Sequence, residues 1–567
     1  MHPLRAHRHT TLHAAQLAPH GNATRVPACA CRVSPQPFAR VCAHWLVSVL
    51  LLCVASNSRA QGAAAPAPHE IQGNSNPILG DGSYYSADPA PIVSNGRLYI
   101  LAGRDEAPPD RNDFIMNEWQ LFATDDVASH RWTHYPSFLK PEQVFHWATP
   151  GHAYAGQIVE AKNGRYYLYA PVQEANSTNE DSFAIGVAVA SSPLGPWTDA
   201  HPSGPIVSQS VPLANRMQNI DPTAFVDEDG RAYLYWGTFG QLRGAELAGD
   251  MVTLRGTPVA VHTLPGFFEA SWLFRRGATW YMVYADNQAG PHSPCTPTVY
   301  HACIAYGTAP DALGPWTYQG VILPPVSSTT SHPGVIQFKG KWYLVYHTAD
   351  AKDGGNFRRS VAIDELHWDD AAAPARMLPV APTQAPMPPQ PPSRNLAPAA
   401  FATASNEPVP VQYWLASLND GRTPKNPLPP EMWGTWTPHN PSSQWVQYEW
   451  SRPVLLNQAR LWFWGDQPPG ASQGVTAPAS WLLEYWTGHA WAAVPHPGSY
   501  SAELGRFNDV AFRTVRTRCL RARLQASGSN GHYAAFGIEE FEADAPRSMA
   551  KRDLPPVPTG PSACPEK

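Results

Sequence analysis

An all-β protein in two folded parts is the architecture this sequence predicts: a five-bladed β-propeller followed by a second, C-terminal strand-rich domain. Three observations predict it. An aromatic-rich strand fed by a hairpin turn recurs five times, no segment carries a competing helical period, and a Pro- and Ala-rich stretch divides two strand-rich blocks. With 567 residues the chain is too long for one ordinary core.

The first element is a leader, residues 1–60. Its apolar run Trp45–Ala55 is too short for a typical membrane span and is followed by Ser58-Arg59-Ala60, a small residue standing before Gln61. This reads as a signal peptide preceded by a long segment from Met1 to about Arg40, and it predicts a secreted or periplasmic protein. No later segment is apolar enough to span a bilayer, so no membrane partner is expected once the signal is removed. Of eight cysteines, Cys29, Cys31, Cys42 and Cys53 fall in the leader. Cys295 and Cys303 flank a short loop and, in an exported protein, are expected to form a local disulfide. Cys519, in a strand-like run, is expected to be a buried free thiol.

The propeller is expected over 75–372. Its repeats are Gly96–Leu101, Gly164–Tyr169, Gly230–Tyr235, Ala278–Tyr284 and Gly340–Tyr346, each a turn running into an aromatic strand. Ser192-Pro193-Leu194-Gly195-Pro196-Trp197 has a second copy in Asp311-Ala312-Leu313-Gly314-Pro315-Trp316. Asp227-Glu228-Asp229, before Gly230, reads as a solvated hairpin tip. Residues 373–394 read as a stiff linker, 395–544 as the second domain and 545–567 as a disordered tail.

Charged residues make up 15% of the chain and the net charge is −5, which excludes the basic face of a nucleic-acid binder. The 21 Trp and 22 Tyr exceed what one core needs, leaving rings for flat sugar surfaces, although most must be core. Asp88, Asp221 and Glu269 each stand just before a strand-like segment, in Ala87-Asp88-Pro89, Ile220-Asp221-Pro222 and Phe268-Glu269-Ala270. Taken singly, the two Asp-Pro pairs are ordinary turn starts. In a ring of repeats their matched positions bring them together. Glu269 among Phe267, Phe268 and Trp272 is a carboxyl in costly apolar company unless paired or protonated. Converging carboxylates, with one pKa raised, are the equipment of glycoside cleavage.

With those motifs on the page, residues 75–370 resemble glycoside hydrolase family 43, five-bladed propellers that hydrolyse arabinose and xylose linkages with inversion. The resemblance implies that Asp88 is the general base, Glu269 the general acid and Asp221 the group that raises and orients Glu269. Ser331-His332-Pro333-Gly334 resembles the family's late-blade motif, which puts His332 on the ring axis as a candidate metal ligand. Asn356–Val361 resembles the segment whose arginine, here Arg359 rather than Arg358, faces substrate. Ala153-Tyr154-Ala155-Gly156-Gln157 departs from the family's Ala-Trp-Ala-like run, with Tyr154 and Gln157 expected at the substrate and Phe268 beside them. Asn395–Pro398, Leu418–Gly421, Trp433–Trp436, Trp445–Tyr448 and Gly537–Phe541 resemble a discoidin-type (factor 5/8 type C) domain, which implies a C-terminal β-sandwich of jelly-roll type. That domain often binds carbohydrate, and Asp420 is a candidate ligand for a structural calcium, although Asn419-Asp420-Gly421 is equally a plain turn.

The expectation is an inverting glycosidase acting on arabinose- or xylose-containing polysaccharides, as α-L-arabinofuranosidase or β-xylosidase, working as a monomer. It needs no cofactor beyond a structural Ca²⁺ or Na⁺. The rivals are an endo-acting arabinanase or xylanase and a non-catalytic carbohydrate-binding propeller.

Overall fold

The computed structural model describes residues 67–288 (other than 74, 110 and 112), 293–295, 302–383 (other than 329), 394–405, 415–424, 431–466 (other than 438), 474–547, 555–558 and 564–565. The leader, the Pro386–Pro392 run and most of the tail lie outside the described residues.

Five antiparallel sheets follow one another along residues 69–366. The first holds β1 (His69–Gln72), β2 (Ala87–Ser94), β3 (Arg97–Gly103), β4 (Trp119–Thr124) and β5 (Arg131–Leu139), in the order β1-β5-β4-β3-β2. The next three have four strands each in simple meander order: β6 (Gln157–Glu160), β7 (Tyr166–Gln173), β8 (Phe183–Ala190) and β9 (Thr198–Asp199); β10 (Thr223–Val226), β11 (Ala232–Trp236), β12 (Leu242–Leu247) and β13 (Leu254–Val261); β14 (Phe267–Arg276), β15 (Thr279–Asp286), β16 (Cys303–Ala309) and β17 (Thr317–Leu323). The fifth is β18 (Gly334–Phe338), β19 (Lys341–Thr348) and β20 (Ser360–Leu366). The five repeats read from the sequence are the second strands β3, β7, β11, β15 and β19.

Strands β2, β6, β10, β14 and β18 form the inner wall. Each touches the next, and β18 returns to β2, which makes the arrangement a closed five-bladed propeller. Because every inner strand runs the same way and the strands alternate, one end of the ring collects two kinds of segment. These are the residues leading into each inner strand and the loops joining the second strand of a blade to the third. Side chains of adjacent blades interleave to make the core, with Trp119, Phe145, Leu168, Tyr281 and Leu344 wholly enclosed.

The ring is closed by residues preceding β2. Ile78 N–H donates to Val361 O at 2.8 Å and Ser86 N–H to Arg359 O at 2.8 Å, laying this segment along β20. Asn76 locks it. Its amide donates to Ile363 O (3.0 Å) and Asp364 Oδ2 (2.9 Å), and its carbonyl accepts from Ile363 N–H (2.9 Å).

Three expectations need revision. Asp227 is not part of a solvated tip. It is buried and takes both oxygens to Arg275 Nη1 at 2.8 and 2.7 Å, while Glu228 and Asp229 are exposed. The hairpin β21 (Trp368–Asp369) and β22 (Arg376–Met377) continues the propeller. Met377 and Val380 join its core and Val380 N–H bonds Ile322 O, so these residues are not linker. Cys519 is not a free thiol. Its sulfur lies at bonding distance from that of Cys564, with Cα atoms 6.2 Å apart, and Trp491 Nε1–H donates to Pro565 O at 3.0 Å, so this part of the tail is held on the second domain. The sulfurs of Cys295 and Cys303 are likewise at bonding distance, Cα atoms 5.6 Å apart.

The second block has its own core and one seven-stranded antiparallel sheet. Its strands are β23 (Phe401–Ala404), β24 (Trp433–Gly434), β25 (Ser443–Trp464), β26 (Ser480–Trp486), β27 (Trp491–Ala493) and β28 (Phe507–Gln525), then, after the small hairpin β29 (Gly528–Ser529) and β30 (His532–Tyr533), β31 (Gly537–Asp544). The 22-residue β25 changes neighbour partway. Its first half lies between β23 and β28, its second between β31 and β28, with the register shifting between Glu449 and Val454. Trp433, Tyr448, Trp450, Phe463 and Phe541 fill the core. Arg422 Nη2–H donates to Gly354 O at 2.8 Å, tying this block to the loop between β19 and β20.

Candidate active site

All three predicted carboxylates stand at the same end of the ring. Asp88 is the second residue of β2 and Glu269 the third of β14, whereas Asp221 precedes β10. The first two are therefore inside strands rather than before them, at places where pairing slips: between Ala87 and Ala90 on β2, and on both sides of Glu269 on β14. A bulge leaves a residue unpaired and re-aims its side chain. The backbone shows the cost. Asp88 and Asp221 both have φ 55°, Ala270 has φ 60° and His332 has φ 39°. Non-glycine residues rarely occupy this region, and such strain gathers at functional sites.

Arg359, the first residue before β20, organises the Asp88 side. Its Nη1 donates to Asp88 Oδ1 at 2.9 Å, while its Nε and Nη2 form a fork on Asp105 Oδ2 and Oδ1 at 2.9 Å each. Burial opposes its charge, but Asp105 and Asp88 outweigh burial and hold the guanidinium cationic. Phe114 lies under it at 5.0 Å. Asp88 N–H donates to His347 Nδ1 at 3.1 Å, so the proton of that neutral ring is on Nε2, which donates to Thr330 O at 2.9 Å. Burial holds His347 well below its ordinary value, and the 3.4 Å approach of Nδ1 to Asp88 Oδ1 is therefore not an ion pair. His332 stands beside the same carboxylate, with Nδ1 3.4 Å from Asp88 Oδ1, and burial pushes it down to about 4 against the pull of Asp88.

On the opposite wall, Thr238 Oγ1 donates to Glu269 Oε2 at 2.8 Å, and Ala270 N–H donates to Asp221 Oδ2 at 3.2 Å. Glu269 keeps part of its surface open at the mouth, but its carboxyl is ringed by protein. Burial pushes it up to about 7, Thr238 and Arg359 opposing and the Asp88 charge adding to the rise. Burial and then the charge of Glu269 raise Asp221 well above the carboxylate range. Two such neighbours hold a proton as a pair; the backbone N–H on Asp221 and the Thr238 hydroxyl on Glu269 each favour the charged form of the carboxyl they meet.

The remaining predicted residues fall around this centre. Tyr154 packs against Phe183 at 4.6 Å and feels the charges of Arg359 and Asp88; burial pushes its hydroxyl up to about 12, so it is a neutral donor. The buried Gln157 turns its carbonyl to Ala224 N–H and bridges the second and third blades. Phe268 crosses Phe239 edge-on at 5.5 Å. Asp105, Thr238 and His347 are additions that the sequence reading did not include. The one visible signal was His347, a polar side chain directly after the apolar run Tyr343–Tyr346.

A closed five-bladed ring that brings a cation-paired carboxylate and a buried pair of carboxyls to one end has the equipment of a glycoside hydrolase. Sequence comparison makes the assignment particular. The family model described as glycosyl hydrolases family 43 matches residues 75–373, and this chain belongs to that family. It is an O-glycosyl hydrolase of the inverting, single-displacement kind. A xylosidase/arabinosidase of Bacteroides ovatus is 32% identical over 332 residues, 50% of this chain and 92% of its own. An arabinoxylan arabinofuranohydrolase of Bacillus subtilis is 31% identical over 348 residues, 53% of this chain and 63% of its own. A solved family 43 β-xylosidase/α-arabinofuranosidase from a compost metagenome, in complex with xylotriose, is 25% identical, covers 56% of this chain and 100% of its own, and has a TM-score of 0.46.

Proposed function

We propose that this chain removes terminal arabinofuranosyl or xylosyl units from arabinose- or xylose-containing plant polysaccharides and their fragments. The observation that carries this is the meeting, at one end of the ring, of Asp88 on Arg359 with the proton-holding pair Glu269 and Asp221. The names of the Bacteroides and Bacillus relatives support the sugar class.

In this reading Asp88 is the general base. Arg359 favours its ionised form and fixes its orientation, and the water it activates attacks the anomeric carbon. Glu269, protonated because it is buried, gives its proton to the leaving oxygen. Asp221 keeps that proton available. Inversion requires the two acting carboxyls about 6.5–9.5 Å apart, leaving room for the water. Glu269→Gln and Asp88→Asn are each expected to lower kcat by about 10²–10⁴-fold with an unchanged circular dichroism spectrum. Proton NMR of the first product should show the inverted anomer. Wild-type turnover in either variant would remove the assignment. Only monosaccharide should be released from linear arabinan or xylan; oligomers would mark an endo-acting enzyme, and calorimetric binding without cleavage a lectin-like propeller.

We also read the second block as a discoidin-type β-sandwich with a structural calcium. Support comes from Asp420 and Glu540. Glu540 is wholly buried and its Oε1 has no hydrogen-bond partner, while Oε2 accepts from Gly421 N–H at 2.9 Å. Burial, then Asp420, pushes Glu540 up to about 9, and burial pushes Asp420 to about 6. Oxygen donors raised this way suit Ca²⁺, which would relieve their repulsion. Calcium is expected to raise the Tm of wild type and not of Glu540→Gln; an equal shift in both would end this reading. At the ring axis, a Ca²⁺ or Na⁺ would take one ligand from His332 and fill its shell with water, since His332 belongs to no cluster of three ligand side chains among the described residues.

A further inference from the structure

We propose that Phe239 is the platform on which the leaving-group sugar stacks. The hairpin joining β11 to β12 closes with Gln241 N–H donating to Thr238 O at 3.0 Å, and its two central residues, Phe239 and Gly240, have φ 50° and 76°. Positive φ at both central positions is the type I′ pattern, which favours Asn, Asp or Gly at the first of them. The first blade obeys this preference: its turn between β2 and β3 uses Asn95 and Gly96, φ 50° and 74°. At 237–241 the same conformation is given to a phenylalanine, against its steric preference.

Nothing in the fold repays that choice. Phe239 is 62% exposed, more than any other large hydrophobic side chain among the described residues. Among the described residues its one ring neighbour is Phe268, met edge-on at 5.5 Å and 78°. Yet the loop is fastened to the acid machinery at three points. Thr238 holds the Glu269 carboxyl, Gly240 N–H donates to Phe268 O at 3.1 Å, and Gly237 N–H donates to Ile220 O at 2.9 Å, next to Asp221. The general acid protonates the oxygen that departs with the leaving group, so the sugar carrying that oxygen lies on the Glu269 side of the cleaved bond. A rigidly held, open aromatic face on that side fits the C–H face of a pyranose or furanose ring. Phe239 with Phe268 thus builds a subsite for the polymer side of the substrate, whereas Tyr154, Phe114 and Arg359 surround the base.

This rests on Glu269 being the acid, and the experiment separates the two. Wild type, Phe239→Gly, Phe239→Trp and Glu269→Gln are assayed on the oligosaccharide that wild type cleaves and on the glycosyl fluoride of the same sugar, whose leaving group is a single atom. For Phe239→Gly we expect KM on the oligosaccharide to rise about tenfold, fluoride kinetics to stay unchanged, and Tm not to fall, because glycine suits this backbone. Phe239→Trp should restore the oligosaccharide KM. Equal losses on both substrates, a lowered Tm accompanying the loss, or no loss on either would overturn the platform while leaving Glu269 in place. Full oligosaccharide turnover by Glu269→Gln would instead remove the acid, and the platform with it.

Discussion

Thr238 tunes the acid through one hydrogen bond. Its hydroxyl stabilises the charged carboxylate of Glu269 and so works against burial. Because Glu269 must be protonated to act, kcat should fall as pH rises through about 7. Thr238→Val takes away the opposing bond, so Glu269 should keep its proton to higher pH and the alkaline limb of the profile should move upward. An unmoved limb would mean that another group sets it. Asp88, Asp221 and Glu269 were legible in the sequence because each sits in a short run whose apolar or Pro neighbours mark it. Thr238 and Asp105 were not, because each acts through bonds made between neighbouring blades, far apart in the chain. In sequence, Gly237-Thr238-Phe239-Gly240 is only a turn.

The elements place those residues through their irregularities rather than their regularity. At the bulge of β14, Ala270 holds φ 60° with only 1% of its surface exposed, and its N–H is on Asp221. Ala270→Val would force a β-branched side chain into that conformation among Ala285 and Ala302. We expect a loss of about 2–3 kcal/mol in urea denaturation, whereas Ala270→Gly should be tolerated. Strand periodicity foretold β3, β7, β11, β15 and β19 well, since turn glycines and aromatic alternation are local signals. Bulges are not local: pairing slips only where a neighbouring strand exists, so the sequence reading set Glu269 ahead of its strand. Asp227 was misjudged for the same reason, as its partner Arg275 comes from the next blade.

At the scale of the molecule, the ring depends on a latch. Asn76 satisfies both backbone groups of Ile363 and one oxygen of Asp364, joining the start of the propeller to its last strand. Asn76→Ala takes its partner from both backbone groups of Ile363, while Asp364 Oδ2 keeps the Tyr346 hydroxyl at 2.7 Å, and should cost about 1–3 kcal/mol. Since each blade packs on the next around a closed ring, the loss should appear as a single shift of the propeller's unfolding transition; a separate early phase would show blades melting independently. The latch also governs when catalysis can begin. Asp88 and Arg359 are 271 residues apart and bond at 2.9 Å only after the final strand docks. A ribosome that has released four blades has therefore already made Asp88, Asp221 and Glu269, but not the cation that holds Asp88. A chain truncated before Arg359 and β20 would keep all three carboxylates yet lack the guanidinium on Asp88, so it is expected to show no turnover, and activity to return only with the last strand.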